Sequence, residues 1–74
     1  MRKPMENITI QTEYIKLDAL LKFAAAVGSG GEAKQVVSEG MVSVNGEVCT
    51  QRGRKLRAGD RVDFAGLSFL IVQA

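Results

Sequence analysis

The dipeptide Asn45-Gly46 restricts the fold of this 74-residue chain more than any other feature of the sequence. It stands between residues 41–44 and 47–50, two short runs in which valine recurs. Asparagine followed by glycine tolerates the positive φ angles of a two-residue turn, and the pair is the strongest short-range signal of a β-hairpin. The sequence therefore predicts an antiparallel hairpin just after the midpoint of the chain.

A first helix is predicted from residue 17 onward. Apolar residues recur there at the i, i+3, i+4 and i+7 spacing of one helix face, and two more widen the stripe. The residues concerned are Leu17, Leu20, Leu21 and Ala24, with Phe23 and Val27 beside them. We expect all of them to face the core.

A second helix is predicted after the glycine-rich residues 28–31. Ser29 can cap its amino end, and Glu32, three residues later, completes a capping box. Gly40 is placed to supply the left-handed residue that ends the helix. The predicted buried stripe consists of Ala33, Val36 and Val37.

The remaining segments alternate apolar and polar residues, which is typical of strands. Strands are predicted at about residues 7–11, 61–64 and 67–72, with a turn at 58–60, while residues 51–57 form a polar, basic connection. The whole chain, 1–74, is thus predicted to be one α+β domain, with two short helices packed on a small, mostly antiparallel sheet.

Several functional classes have little support in the sequence. There is no histidine, and Cys49 is the single cysteine, so a zinc site, an internal disulfide and a histidine-activated nucleophile are not expected. We expect Cys49 to pack in the core. No apolar run is long enough to cross a membrane, and residues 1–5 lack the apolar segment of a secretory signal. These features predict a cytoplasmic protein without cofactor, metal or catalytic activity.

The positive charge is concentrated in the last third of the chain. The net charge is +2 overall, and five basic residues against two acidic ones from residue 50 onward give that part +3. Residues 52–57 carry four cations, three of them arginines, whose planar guanidinium suits phosphate oxygens. We interpret the segment as a nucleic-acid contact; the alternative is a solvated loop that serves solubility.

Two isolated lysines are more ambiguous. Lys22 stands four residues after Asp18, so an exposed helical ion pair would account for it equally well. Lys34, next to Gln35, can offer charge and hydrogen-bond donors to a nucleic-acid backbone, and a plain solvated helix face is an equal alternative.

Several segments together resemble a known family, the RNA-binding domain of the ribosomal protein S4 type, also called the alpha-L motif. The resemblance covers about residues 16–64 and is closest to the short stand-alone bacterial members. It rests on residues 16–18, Leu21, residues 32–35, 39–40, 42–46 and 58–60.

The resemblance implies a basic RNA-binding face made of two helices and a hairpin. Carried over by position, that face includes Lys16, Lys22, Lys34, Gln35, Asn45, Gly46, Arg52, Arg54, Lys55 and Arg57. The family often has arginine where this chain has Gly30, Lys16 and Lys34, so more of the binding is expected from the segment after the hairpin.

The leading hypothesis is a monomeric module that binds structured RNA, either ribosomal or transfer RNA, through phosphates and shape, with ribosomal particles as a further candidate partner. Aromatic stacking is expected to be minor, because the aromatic residues fall mostly on predicted core positions, with Tyr14 the one exception. The alternative is a protein-interaction adapter that has kept the fold and lost RNA.

Overall fold

Two helices and seven strands make up the computed structural model, which describes residues 5–74. Residues 1–4, on which the expectation of no secretory signal partly rests, lie outside the described residues. The elements are β1 (Met5–Ile10), β2 (Ile15–Lys16), α1 (Leu17–Phe23), α2 (Gly30–Ser38), β3 (Val42–Val44), β4 (Glu47–Val48), β5 (Lys55–Leu56), β6 (Arg61–Phe64) and β7 (Leu67–Gln73).

Five of the strands form one sheet in the order β1-β7-β6-β3-β4. All pairs in it are antiparallel except β1 with β7, which run parallel with Ile8 opposite Ile71. Alternate residues of β1, β3, β6 and β7 are buried, and they join the buried residues of both helices in one core. This confirms the predicted α+β class and the mostly antiparallel sheet.

Helix α1 ends earlier than the apolar stripe predicts. Ala25 adopts a left-handed conformation with φ 56°. Its N–H donates to the Lys22 carbonyl, and the Ala26 N–H donates to the Leu21 carbonyl, which together close a Schellman motif. Phe23, the last residue of α1, is 66% exposed, so the expectation that it faces the core is wrong.

The residues predicted to begin and end α2 do so, with one difference in the cap at its amino end. The Glu32 N–H donates to Ser29 Oγ at 3.2 Å, which is the expected cap. The Glu32 carboxylate accepts from the Gly28 N–H at 2.7 Å instead of from the capping serine's own amide. At the other end Gly40 has φ 74° and closes a second Schellman motif.

The hairpin forms around Asn45 and Gly46, whose φ angles of 52° and 87° are those of a type I′ turn. Its strands β3 and β4 are shorter than predicted, although the Cys49 N–H still donates to the Val42 carbonyl at 2.9 Å just beyond the paired residues. Cys49 follows the hairpin and is buried, as expected.

The polar connection at residues 51–57 is not wholly irregular, because it contains β5, which pairs antiparallel with β2. Neither helix in the described part of the chain combines the length and the hydropathy that a membrane crossing requires.

Candidate nucleic-acid interface

Main-chain hydrogen bonds attach the basic residues 52–57 to the start of α1. The Leu17 N–H donates to the Arg54 carbonyl at 2.9 Å, and the Asp18 N–H donates to the Arg52 carbonyl at 3.0 Å. The first amides of a helix have no partner within the helix, so these two carbonyls satisfy donors that would otherwise need water. The backbone that carries Arg52 and Arg54 is therefore held in place while their side chains remain exposed.

The β2–β5 ladder adds two lysines at the same place. Lys16 and Lys55 are paired residues of this antiparallel ladder, and both are exposed. Like charges directly opposite each other on neighbouring strands destabilise a sheet. The neighbouring pair, Ile15 with the fully buried Leu56, helps to hold the two strands together. A bound anion would relieve the repulsion between the two ammonium groups.

The aromatic ring of Tyr14 lies close to two of the positive charges of this region. The Lys55 ammonium nitrogen is 4.9 Å from the centre of its ring, and the Arg57 guanidinium carbon is 5.9 Å from it. Both distances are within the range of cation–π attraction. We call Lys16, Arg52, Arg54, Lys55 and Arg57 the basic ladder.

Hydrogen bonds through Asp60 connect Asn45 at the hairpin tip to Arg57, the last residue of the basic ladder. Asn45 Nδ2 donates to Asp60 Oδ1 at 3.1 Å, and Asp60 Oδ2 accepts from the Arg57 N–H at 2.8 Å. Asn45 Oδ1 also accepts from the Arg61 N–H at 3.0 Å. The Asn45 side chain thus has a structural task at its predicted RNA-contact position, while Gly46 is exposed at the tip.

Lys22, Lys34 and Gln35 lie apart from the basic ladder, where α1 and α2 meet. A Cβ on Gly30 would be 3.8 Å from Lys22 Cδ, so the lysine stem lies over the first turn of α2. Lys34 is one turn after Gly30 and shares its helix face. Gln35 is exposed beside it. Helix α1 connects the two groups, because its first turn bonds the Arg52 and Arg54 carbonyls and its last turn carries Lys22.

None of these seven cations has a carboxylate within 4 Å among residues 5–74. The ion pair in the described part of the chain joins Arg61 Nε and Asp63 Oδ2 at 3.3 Å. The Asp18–Lys22 pair that was an alternative explanation for Lys22 is not formed, since Asp18 Oδ1 accepts from the Ala19 N–H instead. The surface therefore presents positive charge that the protein itself does not neutralise.

Metal chemistry has no visible basis in the described residues, because no three His, Cys, Asp or Glu side chains converge there. Sequence reasoning missed the exposure of Phe23. At about 100° per residue, Phe23 lies roughly 110° around the helix from the middle of the face formed by Leu17, Leu20 and Leu21, and this phase was the signal that could have found it.

Comparisons with known proteins identify the family and the fold of this chain. The family described as the S4 domain matches residues 8–72. A Bacillus subtilis protein, named "Probable ribosome maturation protein RlbA", is 48% identical over 66 residues, which cover 88% of this chain and 93% of that protein. The Escherichia coli protein YbcJ is 41% identical over 59 residues, covering 80% of this chain and 84% of YbcJ.

The solution structure of YbcJ is described as revealing an alpha-L motif involved in RNA-binding. It superposes on this chain with a TM-score of 0.67 at 33% identity, covering 97% of this chain and 90% of the other. The order of strands and helices, the matched residues and the relatives lead to one conclusion. The chain belongs to the S4 domain family and has the alpha-L fold.

Proposed function

We propose that this protein is an RNA-binding module that holds structured RNA against the basic ladder, mainly through phosphate contacts. The observation that carries the proposal is the set of five exposed, unpaired cations on a backbone fixed to α1 and to β2. Arginine side chains can bind phosphate oxygens in a bidentate manner, and A-form RNA presents its backbone while hiding base edges in a deep groove.

The relatives support RNA as the partner and favour ribosomal RNA over transfer RNA. YbcJ is described as having a motif involved in RNA-binding, and the name of the B. subtilis relative refers to ribosome maturation. We therefore propose a monomer that works as a binding module and not as an enzyme, in the cytoplasm, on ribosomal RNA or a ribosomal particle.

Phosphate contacts account for the arrangement of cations better than an acidic protein surface does. The basic ladder places Lys16 directly opposite Lys55 and carries three further cations at residues 52, 54 and 57, and a nucleic-acid backbone with one charge per phosphate matches such a concentration of like charges. An adapter that binds protein would keep its partners after nuclease treatment, whereas an RNA-binding module would lose them.

Filter binding to a structured ribosomal RNA fragment tests the proposal. The triple variant Arg52→Ala, Arg54→Ala, Lys55→Ala removes three cations whose side chains are exposed, so the fold should persist. A charge-matched control, Met5→Glu, Asn7→Glu, Thr9→Glu, lowers the net charge equally at exposed positions of β1. We expect the first variant to lose on the order of 100-fold or more in affinity and the control to lose far less. Equal affinities of the triple variant and the unmodified protein would contradict the proposal.

A further inference from the structure

Phe23 is an exposed aromatic residue at the end of α1, next to Lys22. Its side chain is 66% exposed, the largest exposed fraction among the large hydrophobic residues of the described chain. Phenylalanine usually contributes to stability by being buried, so the exposed ring forgoes that contribution. The Schellman motif at Ala25, with a non-glycine residue at positive φ, ends α1 immediately after this residue.

The ring lines an open groove where α1 meets the start of α2. The groove has a volume of about 520 Å³ and is lined by Asp18, Ala19, Lys22, Phe23 and Gly30. It combines one flat aromatic ring, one ammonium group and one carboxylate. Phe23 also lines a second, smaller groove beside Ile10 and Ile15, so the ring is accessible from two directions.

The chemistry of the groove selects among possible occupants. A phosphate seated against the Phe23 ring would be opposed by the nearby Asp18 carboxylate, and an apolar protein side chain could use the ring but neither charged group. A nucleobase satisfies all three groups. Its face can stack on Phe23, an N–H on its edge can donate to the carboxylate, and the phosphate of its own nucleotide can meet Lys22.

The groove continues from the basic ladder. The Asp18 N–H donates to the carbonyl of Arg52, a residue of the basic ladder, so the groove begins where that part of the basic ladder is attached to α1. Lys22 lies one helical turn further along α1, on the same face as Asp18. An RNA strand leaving the phosphate contacts of the loop therefore reaches Phe23 within about one turn of helix.

From these observations we infer that Phe23 stacks on an unpaired nucleobase of the bound RNA, with Lys22 and Asp18 beside it. The inference rests on the proposed function and adds to it a preference for RNA whose duplex is interrupted. Bases within a continuous duplex are already stacked on each other, so this contact requires a bulge, a loop or a strand end.

The test compares a blunt RNA duplex with the same duplex carrying an internal bulge that contains 2-aminopurine. The unmodified protein should prefer the bulged RNA and quench the fluorescence of the 2-aminopurine. Phe23→Leu keeps an apolar side chain without an aromatic face, and we expect it to lose on the order of tenfold for the bulged RNA with the duplex affinity nearly unchanged. Phe23→Tyr should keep both the preference and the quenching.

Val48→Ala is the matched control, because Val48 is 63% exposed and lies outside the groove lining. It should leave the preference for the bulged RNA intact. If Phe23→Leu retains the preference and the quenching, the inference is wrong while the proposed function stands. If the unmodified protein binds neither RNA, the proposed function and the inference both fail.

Discussion

The ammonium nitrogen of Lys55 lies 4.9 Å from the centre of the Tyr14 ring, and the guanidinium carbon of Arg57 lies 5.9 Å from the same point. The ring thus attracts two exposed side chains that would otherwise sample many rotamers. Long cationic side chains lose conformational entropy when they bind, and holding them in advance reduces that loss. We therefore regard Tyr14 as a positioning residue for the basic ladder.

Two substitutions of Tyr14 distinguish the contribution of its aromatic ring to binding from that of its hydroxyl group. Tyr14→Leu removes the cation–π attraction and should weaken RNA binding about two- to fivefold, since an exposed cation–π contact is worth about 0.5–1 kcal/mol. Tyr14→Phe keeps the ring and should bind as the unmodified protein does. Fluorescence anisotropy with a labelled RNA measures both affinities, and an unchanged affinity of Tyr14→Leu would remove this role from Tyr14.

The salt dependence of binding counts the phosphate contacts. If about four cations pair with phosphates, the slope of log affinity against log salt concentration should be roughly −3 to −4. Arg52→Ala alone should reduce the magnitude of that slope by about one. A slope near zero for the unmodified protein would indicate that binding does not depend on phosphate neutralisation.

Asn45 should act mainly on stability, because its side-chain amide bonds Asp60 and the Arg61 N–H. Asn45→Ala loses both bonds and places alanine at φ 52°, for a combined cost of about 2–3 kcal/mol. For a domain of this size that lowers the Tm by about 8–24 °C. Asn45→Gly loses the bonds but accepts the backbone angle, so thermal unfolding should give an intermediate value. A variant that keeps its Tm but loses RNA affinity would instead make Asn45 a direct contact.

The end of α1 offers a stabilising change. Ala25, with φ 56°, occupies the same position in its Schellman motif as Gly40 does in the motif that ends α2. Ala25→Gly should relieve backbone strain and raise the free energy of unfolding by up to about 1 kcal/mol. Ala19→Gly is the opposite control, because Ala19 is exposed within α1 and glycine there should cost about 0.5–1 kcal/mol. Urea denaturation of the two variants should give shifts of opposite sign.

Elements with local signals could be predicted from the sequence. The hairpin at Asn45-Gly46 and the cap at Ser29 depend on residues within three positions of each other, and both form as expected. Pairings between distant segments left no comparable signal. The parallel alignment of β1 with β7 joins residues more than sixty positions apart, and β2 and β5 are too short to show a period of two.

The candidate site, like the fold, could be predicted only in those features whose signal is local in the sequence. The basic character of residues 52–57 was evident from the sequence, but its attachment to α1 through the Arg52 and Arg54 carbonyls was not, because main-chain hydrogen bonds between distant segments have no residue signature. The assignment of Phe23 to the core is wrong for a different reason. Phe23 is the last residue of α1 and lies off the helix face that buries Leu17, Leu20 and Leu21, so its apolar character alone did not determine the direction of its side chain.

The most direct test of the central claim is an NMR titration of ¹⁵N-labelled protein with a structured ribosomal RNA fragment. Chemical-shift changes should concentrate on the amides of Lys16 and residues 52–57, and they should diminish as salt is added. Changes concentrated on β1 and β7, with the amides of the basic ladder unaffected, would contradict the account.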